Sequence, residues 1–455
     1  MPAVKGHHYE DKSRLDTSSG TSDYEYIFSY EQQPTSVLPQ KRLMSMKELL
    51  ILLSMSFSYA LCFNTLSNIL IPKTVARLTD GTQSLWVGTI MTLGAICQAS
   101  SPLIGAYSDR IGSRAIFLMY GSAVTIIGLF LFLLAEVTEM MVVLCIAQVA
   151  SAMGLSIVYS MIAALLNDYV LEEQTGKGSG AMALLALTGS GVGYAMLALD
   201  VPVTYCLCSY VLATLFCLVI TMSFIPNVEP LRQSQVPIRL CDVVTAAFTM
   251  PSFRVFPDFV FACIGRSLFN FGLAAQVYLV FFVRDVFGSS VPVRITSALS
   301  IAALFGGLVG AIPSGIFSDR IGRKPVIYAA VFICASSLVL LLMVRDMALL
   351  YAVGFLHGVG SASYLSVDHA LGIATLPRKC GAPVDAAKDL GLFSTSATVG
   401  TLIGQVVYGG VLHAFVTHTE AGIVRYSHLG FLVVYSISCL AFVASGVIVA
   451  LIRVK

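Results

Sequence analysis

A ten-residue stretch occurs twice in this chain. The first copy runs Gly105-Ala-Tyr-Ser-Asp109-Arg110-Ile-Gly112-Ser-Arg114, and the second runs Gly315-Ile-Phe-Ser-Asp319-Arg320-Ile-Gly322-Arg323-Lys324. Ser-Asp-Arg-Ile-Gly is identical in both, at an offset of 210 residues. That offset is close to half of the apolar part of the chain, which runs from about residue 46 to residue 455. Such spacing implies two similar halves in tandem. Each copy is a short charged connection between two long apolar runs.

Composition says where those runs sit. Of the 455 residues 57% are hydrophobic and 11% are charged, whereas a soluble domain carries roughly 25% charged residues. Most of the chain therefore belongs in lipid. Twelve runs fall near 48–71, 84–107, 115–135, 139–166, 180–200, 203–225, 255–283, 296–316, 325–344, 348–376, 389–416 and 427–452. A span needs about 20 apolar residues, and each run supplies them. The expected fold class is an all-α membrane protein with twelve transmembrane helices in two six-helix halves. Trp86, the single tryptophan, falls near the start of the second run, where an interfacial anchor is expected.

Four regions follow. Residues 1–45 are polar, without apolar periodicity or a signal-peptide core, and read as a disordered cytoplasmic tail. Tyr24-Glu-Tyr-Ile27 in that tail fits a tyrosine sorting signal. Residues 46–225 form the first half and 253–455 the second. Residues 226–252 form a cytoplasmic linker with a surface helix near 238–249. Lys and Arg set the orientation. With the tail inside, the inner segments hold 20 of the 27, the outer loops hold 6, and Arg266 lies within the seventh run. Both termini and both copies of the repeat are expected in the cytoplasm. Net charge is only +2, so no nucleic-acid partner is expected. The eleven cysteines are scattered without metal-ligand spacing, so no metal or cofactor is expected.

Gly-x-x-x-Asp-Arg-x-Gly-Arg-Arg/Lys between the second and third helix of a half resembles the signature loop of the major facilitator superfamily of secondary transporters. Ser113 stands where that family usually has a basic residue. The resemblance implies a cytoplasmic gate made of Gly105, Asp109, Arg110, Gly112 and Arg114 with Gly315, Asp319, Arg320, Gly322, Arg323 and Lys324. A carboxylate at Asp109 or Asp319 can accept backbone N–H groups and meet the positive end of a helix dipole. By pseudo-symmetry Asp109 should face the start of the eleventh helix near Lys388, and Asp319 the start of the fifth near Gly178 and Gly180. The second half resembles a narrower branch. Arg284-Asp-Val-Phe-Gly288, Val367-Asp-His-Ala-Leu371 and Lys388-Asp-Leu-Gly391 look like the glycoside–cation symporters and sucrose-type transporters, with His369 where an aromatic is expected.

Intramembrane polar residues supply the candidate chemistry. His357, Ser361, Tyr364 and Asp368 lie at i, i+4, i+7 and i+11, on one face of the tenth helix. Arg266 and Asn270 share a face of the seventh. A charge at a helix centre costs about 2.5–3.5 kcal/mol on insertion scales, so Arg266 and Asp368 should face protein or a water-filled cavity. At 1.5 Å per residue Arg266 lies roughly 16 Å in and Asp368 roughly 12 Å in, which makes an ion pair feasible. Lys388 and Asp389 would compete for it or extend it. A carboxylate that is paired in one state and protonated in the other would meet the requirement for proton coupling. A static structural pair is the alternative.

The first helix carries Asn64 and Asn68 on one face, and the fourth carries Gln148, Ser151 and Tyr159. The resemblance implies that helices 1, 4, 7 and 10 line a central cavity. That makes Asn64, Asn68, Gln148, Tyr159, Asn270, Ser361 and Tyr364 the expected substrate contacts, although the same groups suit interhelical hydrogen bonds. The expected function is alternating-access transport of a small polar solute, proton-coupled, with a sugar or glycoside as first choice. Another metabolite, such as an amino acid or organic anion, is the alternative, and a non-transporting sensor is the second alternative. There is no P-loop, nucleophile motif or metal cluster to suggest an enzyme. A monomer in the plasma membrane is expected.

Overall fold

The structure is a computed structural model that describes residues 43–111, 113–225, 250–379, 382–383, 386–418 and 424–453. The tail up to residue 42 with its Tyr24 signal, the linker over 226–249 with its expected surface helix, Gly112, and the side chains of Asp109, Arg110 and Lys388 lie outside the described residues.

Twelve spans alternate in direction. α1 is composite: Met46–Leu52, then Met55–Thr65, a π turn Leu66–Leu70, and Ile71–Leu78, with a 52° bend between the first piece and the rest. α2 covers Gln83–Ala99 and Ser101–Ile111. Then come α3 (Arg114–Thr138), α4 (Met141–Tyr169), α5 (Thr175–Ala198) and α6 (Val203–Phe224). In the second half α7 runs Pro257–Leu273, a 3₁₀ stretch Ala274–Tyr278, and Leu279–Asp285. It is followed by α8 (Pro292–Ile321), α9 (Arg323–Met343), α10 (Met347–Thr375), α11 (Ala386–Ala414) and α12 (His428–Leu451). Two short antiparallel hairpins interrupt the helices: β1 (Arg378–Lys379) with β2 (Ala382–Pro383), and β3 (Val416–His418) with β4 (Val424–Tyr426). We call the face where α1 starts and α12 ends the terminal face, and its opposite the far face.

α1 starts where expected because Ser45 and Glu48 form a capping box at its N-terminus. It ends seven residues later than the hydropathy suggests. Pro72 falls in the first turn of the segment after the π turn, where a missing N–H is tolerated. The extra turns carry Arg77, which pairs with Glu136 at 2.8 Å. Thr74 donates to the same carboxylate. α1 and α7 are thus both irregular about two thirds of the way across, and those two irregular turns pack on one another.

The two halves repeat in their packing as well. A side-chain carbon at Gly189 of α5 would overlap the carbonyl oxygen of Phe57 in α1, and one at Gly400 of α11 would overlap that of Ser267 in α7. These are matching positions in the two halves. Only glycine lets the backbones approach so closely. The lipid-facing surface is apolar, with Phe332, Leu440, Phe216 and Leu212 among its most exposed side chains. The interior is aromatic-rich in the second half, where the Phe269 and Tyr364 rings stack at 3.5 Å.

Gly400→Leu is expected to cost at least the about 1–3 kcal/mol typical of overpacking, because the obstruction is backbone rather than a movable side chain. Thermal unfolding in detergent measures this; an unchanged midpoint would contradict the α7–α11 contact.

Candidate functional site

One cavity of about 890 Å³ lies between the halves. α1, α5, α7, α8, α9, α10 and α12 line it; α2, α4 and α11 contribute nothing. Its polar groups come from the far-face portions of their helices. Asn64 Nδ2 donates to Ser190 Oγ at 2.6 Å, and one turn on Asn68 Nδ2 donates to the Tyr194 hydroxyl at 2.9 Å. This ladder joins α1 to α5, and the Asn side-chain carbonyl oxygens are not used in it. Across the cavity, His357 Nε2 meets Gln276 Nε2 at 2.8 Å and His357 Nδ1 meets Ser337 Oγ at 2.8 Å. Since Gln276 donates through its amide nitrogen, Nε2 is the accepting ring nitrogen and Nδ1 carries the proton. Thr296 also lines the cavity, 2% exposed, with its hydroxyl unbonded.

Behind this wall the structure pairs Arg266 of α7 with Asp368 of α10. The residues are 7% and 1% exposed, and neither is among the residues that line the cavity. The guanidinium carbon also sits 4.4 Å above the Phe393 ring of α11, a favourable place for a desolvated cation. Arg266 Nε has no partner. Asp389 is buried at the start of α11. Removing one member of a buried pair leaves the other charge uncompensated.

The expected substrate contacts divide. Asn64, Asn68 and Ser361 line the cavity, as does His357. Four others do not. Gln148 packs its amide against Gly94 of α2. Tyr159 rests on Tyr59, ring centroids 5.0 Å apart. Asn270 donates to the Arg266 carbonyl one turn back at 2.9 Å. Tyr364 stacks on Phe269 and meets Ser445 Oγ at 3.1 Å. Their amides and rings are taken up by helix packing. In their place stand Ser190, Tyr194, Gln276, Thr296, Ser300, Ser337 and Tyr435. Only a spatial map of α5, α8, α9 and α12 could have found these, because isolated Ser and Thr in apolar helices commonly bond their own backbone.

At the terminal face the repeated loops make contacts within their own halves. Arg114 Nε pairs with Asp168 at 2.9 Å and its Nη1 donates to Ser108 Oγ at 2.8 Å, tying α3 to α2 and α4. Lys324 donates to the Ile452 carbonyl just past the end of α12, where a cation also meets the negative helix end. Gly322 joins α8 to α9 with φ of +93°, a conformation that favours glycine. A side-chain carbon at Gly105 would meet nothing, and one at Gly315 only Ser366 Oγ at 3.6 Å. Asp319 and Arg320 are exposed, and Arg323 is half-buried. Among the described residues no hydrogen bond joins Asp319 to the start of α5 near Gly178 and Gly180 in this state. At this end the walls of the cavity mouth, Leu184 of α5 and Leu308 of α8, are exposed.

The far face is shut by a polar network. Arg284 holds Asp285 through two bonds of 2.7 and 2.8 Å, and its Nη1 donates to Gln83 Oε1 at 3.1 Å. Asp285 accepts the Tyr426 backbone N–H at 3.1 Å. The Tyr426 hydroxyl in turn accepts the Ser84 backbone N–H at 2.7 Å. Burial pushes the Tyr426 phenol up from its ordinary value, keeping it neutral. One turn deeper the Tyr278 hydroxyl donates to the Gln405 carbonyl at 2.7 Å. Gln83 and Ser84 belong to the first half, and Arg284, Asp285 and Tyr426 to the second.

The family model described as Major Facilitator Superfamily matches residues 52–310 and 291–455. No match is found among curated proteins. Several solved structures are similar. The nucleoside transporter NupG is 16% identical with a TM-score of 0.66, covering 89% of this chain and 99% of that one. A bacterial homologue of the human lysosomal transporter Spinster, inward-facing and unoccupied, is 13% identical with a TM-score of 0.59, covering 90% and 95%. A bacterial homologue of the iron transporter ferroportin, outward-facing with soaked iron, is 13% identical with a TM-score of 0.57, covering 90% and 99%.

Arg266→Gln is expected to destabilise by about 3–5 kcal/mol, and Arg266→Gln with Asp368→Asn by clearly less than the sum of the two single changes. A double-mutant cycle on detergent-solubilised protein measures the coupling; additivity would exclude a working pair. Tyr426→Phe removes the acceptor of a buried N–H and should disfavour far-face closure by about 1–3 kcal/mol. Spin labels at Asp80→Cys and Ser289→Cys report this as a larger population of long distances; an unchanged distribution would remove Tyr426 from the closure.

Proposed function

Because the chain belongs to the major facilitator superfamily, we propose that it is a proton-coupled secondary transporter of a neutral, hydroxyl-bearing solute. A secondary transporter, not an enzyme, is what this family and its fold imply. Transport proceeds by rocking residues 46–225 against residues 253–455 about the central cavity. The chain works as a monomer in the plasma membrane, with both termini in the cytoplasm. The terminal face is then the inner one, and the structure corresponds to an inward-open state.

The observation that carries the coupling reading is that α7 and α10 are joined by two rungs. Gln276–His357 lies in the cavity wall, and Arg266–Asp368 lies behind it toward the inner face. A solute that takes over the hydrogen bonds of Gln276 or His357 changes how these helices meet. The second rung is then strained or released, and Asp368 can exchange its partner Arg266 for a proton. The reverse order returns the proton. Substrate binding and proton movement thereby bias the same pair of helices, which is what coupling requires.

The neutral-solute reading rests on the lining. Among the described residues it contains no Asp, Glu, Lys or Arg, so an anionic solute would find no fixed counter-charge among them. Hydroxyl and amide groups converge instead, as a sugar or glycoside needs. The volume also accommodates a nucleoside, whose ribose presents similar hydroxyls beside a flat apolar base. The inner gate is proposed to form when α5 and α8 close, bringing Asp319 and Asp109 to their partners on the opposite half.

Reconstitution into liposomes containing a pH-sensitive dye tests this, with sugars and glycosides added first, nucleosides second, and amino acids and organic acids last. Sugar or glycoside addition should change lumenal pH, and Asp368→Asn should abolish the change by at least tenfold. Labelled solute moving without protons would make Asp368 a structural partner only. Asp109→Asn and Asp319→Asn should slow turnover while leaving binding largely intact; unchanged turnover in both would remove the gate.

A further inference from the structure

The polar groups of the cavity are confined to its deep part, where they stand among Leu279, Leu299, Leu341 and Val353. These groups, including Asn64, Asn68, Gln276, Thr296 and His357, lie toward the far face. The cavity walls toward the terminal face are aliphatic: Leu184 and Leu187 of α5, Leu308 and Ile312 of α8, and Leu365 of α10. Along α8 the change is from Thr296 and Ser300 to Leu304, Leu308 and Ile312. At 1.5 Å per residue the apolar stretch from Ser300 to Ile312 is roughly 18 Å long. The segregation is also lateral. α5 and α8 supply much of the wall while α2 and α11 supply none. Leu184, Leu308, Ile312 and Leu365 are 50%, 44%, 61% and 40% exposed, so the apolar stretch is open at the terminal-face end of the cavity.

A free sugar would use the deep end and leave the aliphatic channel as wet apolar surface. A solute with a chain would cover it. We propose that the cavity takes a neutral amphiphile, with a hydroxyl-bearing head seated among Asn64, Asn68 and Gln276 and an apolar chain lying along α5 and α8. The side-chain carbonyl oxygens of Asn64 and Asn68, unused in the α1–α5 ladder, are acceptors for such a head. The absence of charge from the lining selects a neutral head. This inference rests on the transport reading and narrows its substrate class from a polar solute to a polar head with a chain.

The test uses the full chain in lipid nanodiscs and n-alkyl β-glucosides from methyl to octyl, each below its micellar concentration. Binding is read as the concentration-dependent rise in unfolding temperature. Each added methylene should tighten apparent affinity about fourfold while the chain stays within the channel. Leu184→Ser with Leu308→Ser should flatten this dependence and leave the methyl glucoside unaffected. Asn64→Leu should weaken every chain length by the same factor. Equal affinity at all lengths, a slope unchanged by the Leu184/Leu308 variant, or no binding at any length would overturn the proposal. The transport reading fails separately, when no class of solute moves label or protons in liposomes.

Discussion

A bilayer gives the backbone no hydrogen-bond partners, so every span must satisfy its own N–H and C=O groups as helix. All else in this molecule is arranged around that constraint. Departures from α-helix within a span occur inside protein, where α1 and α7 loosen into a π turn and a 3₁₀ stretch that face each other. Polar side chains are driven the same way. They either bond their own helix, as Thr65 does to Leu61, or turn inward to meet one another. The deep end of the cavity is the place where those that turned inward accumulate. Its hydrogen bonds are therefore both structural and available, since a ligand with hydroxyls can replace any of them at little net cost.

The two faces are held by different physics. At the far face the halves are joined by two hydrogen bonds, the Ser84 backbone N–H to the Tyr426 hydroxyl and the Arg284 guanidinium to the Gln83 side-chain carbonyl, with Asp285 holding both Arg284 and the Tyr426 backbone in place. Such bonds are directional and short-ranged, and they break together when the halves tilt. At the terminal face the charges of the repeated loops are partly occupied within their own halves, as Arg114 is with Asp168. Asp319 and Arg320 remain exposed. These exposed charges are the ones that the proposed inner gate would use.

The sequence made the architecture readable because lipid imposes a simple code: length, hydropathy and a repeat. Eleven of twelve spans begin and end close to where their apolar runs do. α1 is the exception, since Lys73 and Arg77 end the apolar run while the helix continues to Leu78. The Arg266–Asp368 pair was legible for the same reason. Two opposite charges at similar depth in lipid have few other places to go. The cavity was less legible. Serines and threonines are frequent in these helices, and many of them bond the preceding turn, as Thr65, Ser300 and Ser361 do, so their number says little about where a solute binds. Amides and rings on the right helices were drawn instead into packing, Gln148 against Gly94 and Tyr364 against Phe269. The far-face network was hidden because it joins residues some 200 and 340 positions apart, Gln83 to Arg284 and Ser84 to Tyr426.

Glycine pairs connect packing to motion. Gly189 against Phe57 and Gly400 against Ser267 weld α1 to α5 and α7 to α11 within their halves. Contacts of backbone on backbone have no side-chain freedom to absorb a tilt, so each pair of helices moves as one body. The contact between α5 and α8 is of another kind. Near the far face it carries Tyr194 beside Ser300, and toward the terminal face its surfaces are leucines and isoleucine. Aliphatic surfaces can separate and rejoin without stranding a hydrogen bond, since nothing polar is left unpaired when they part. A hinge that is polar at one end and greasy at the other can therefore open at the greasy end alone. That asymmetry lets one sheet of side chains serve as a wall of the cavity and as its door.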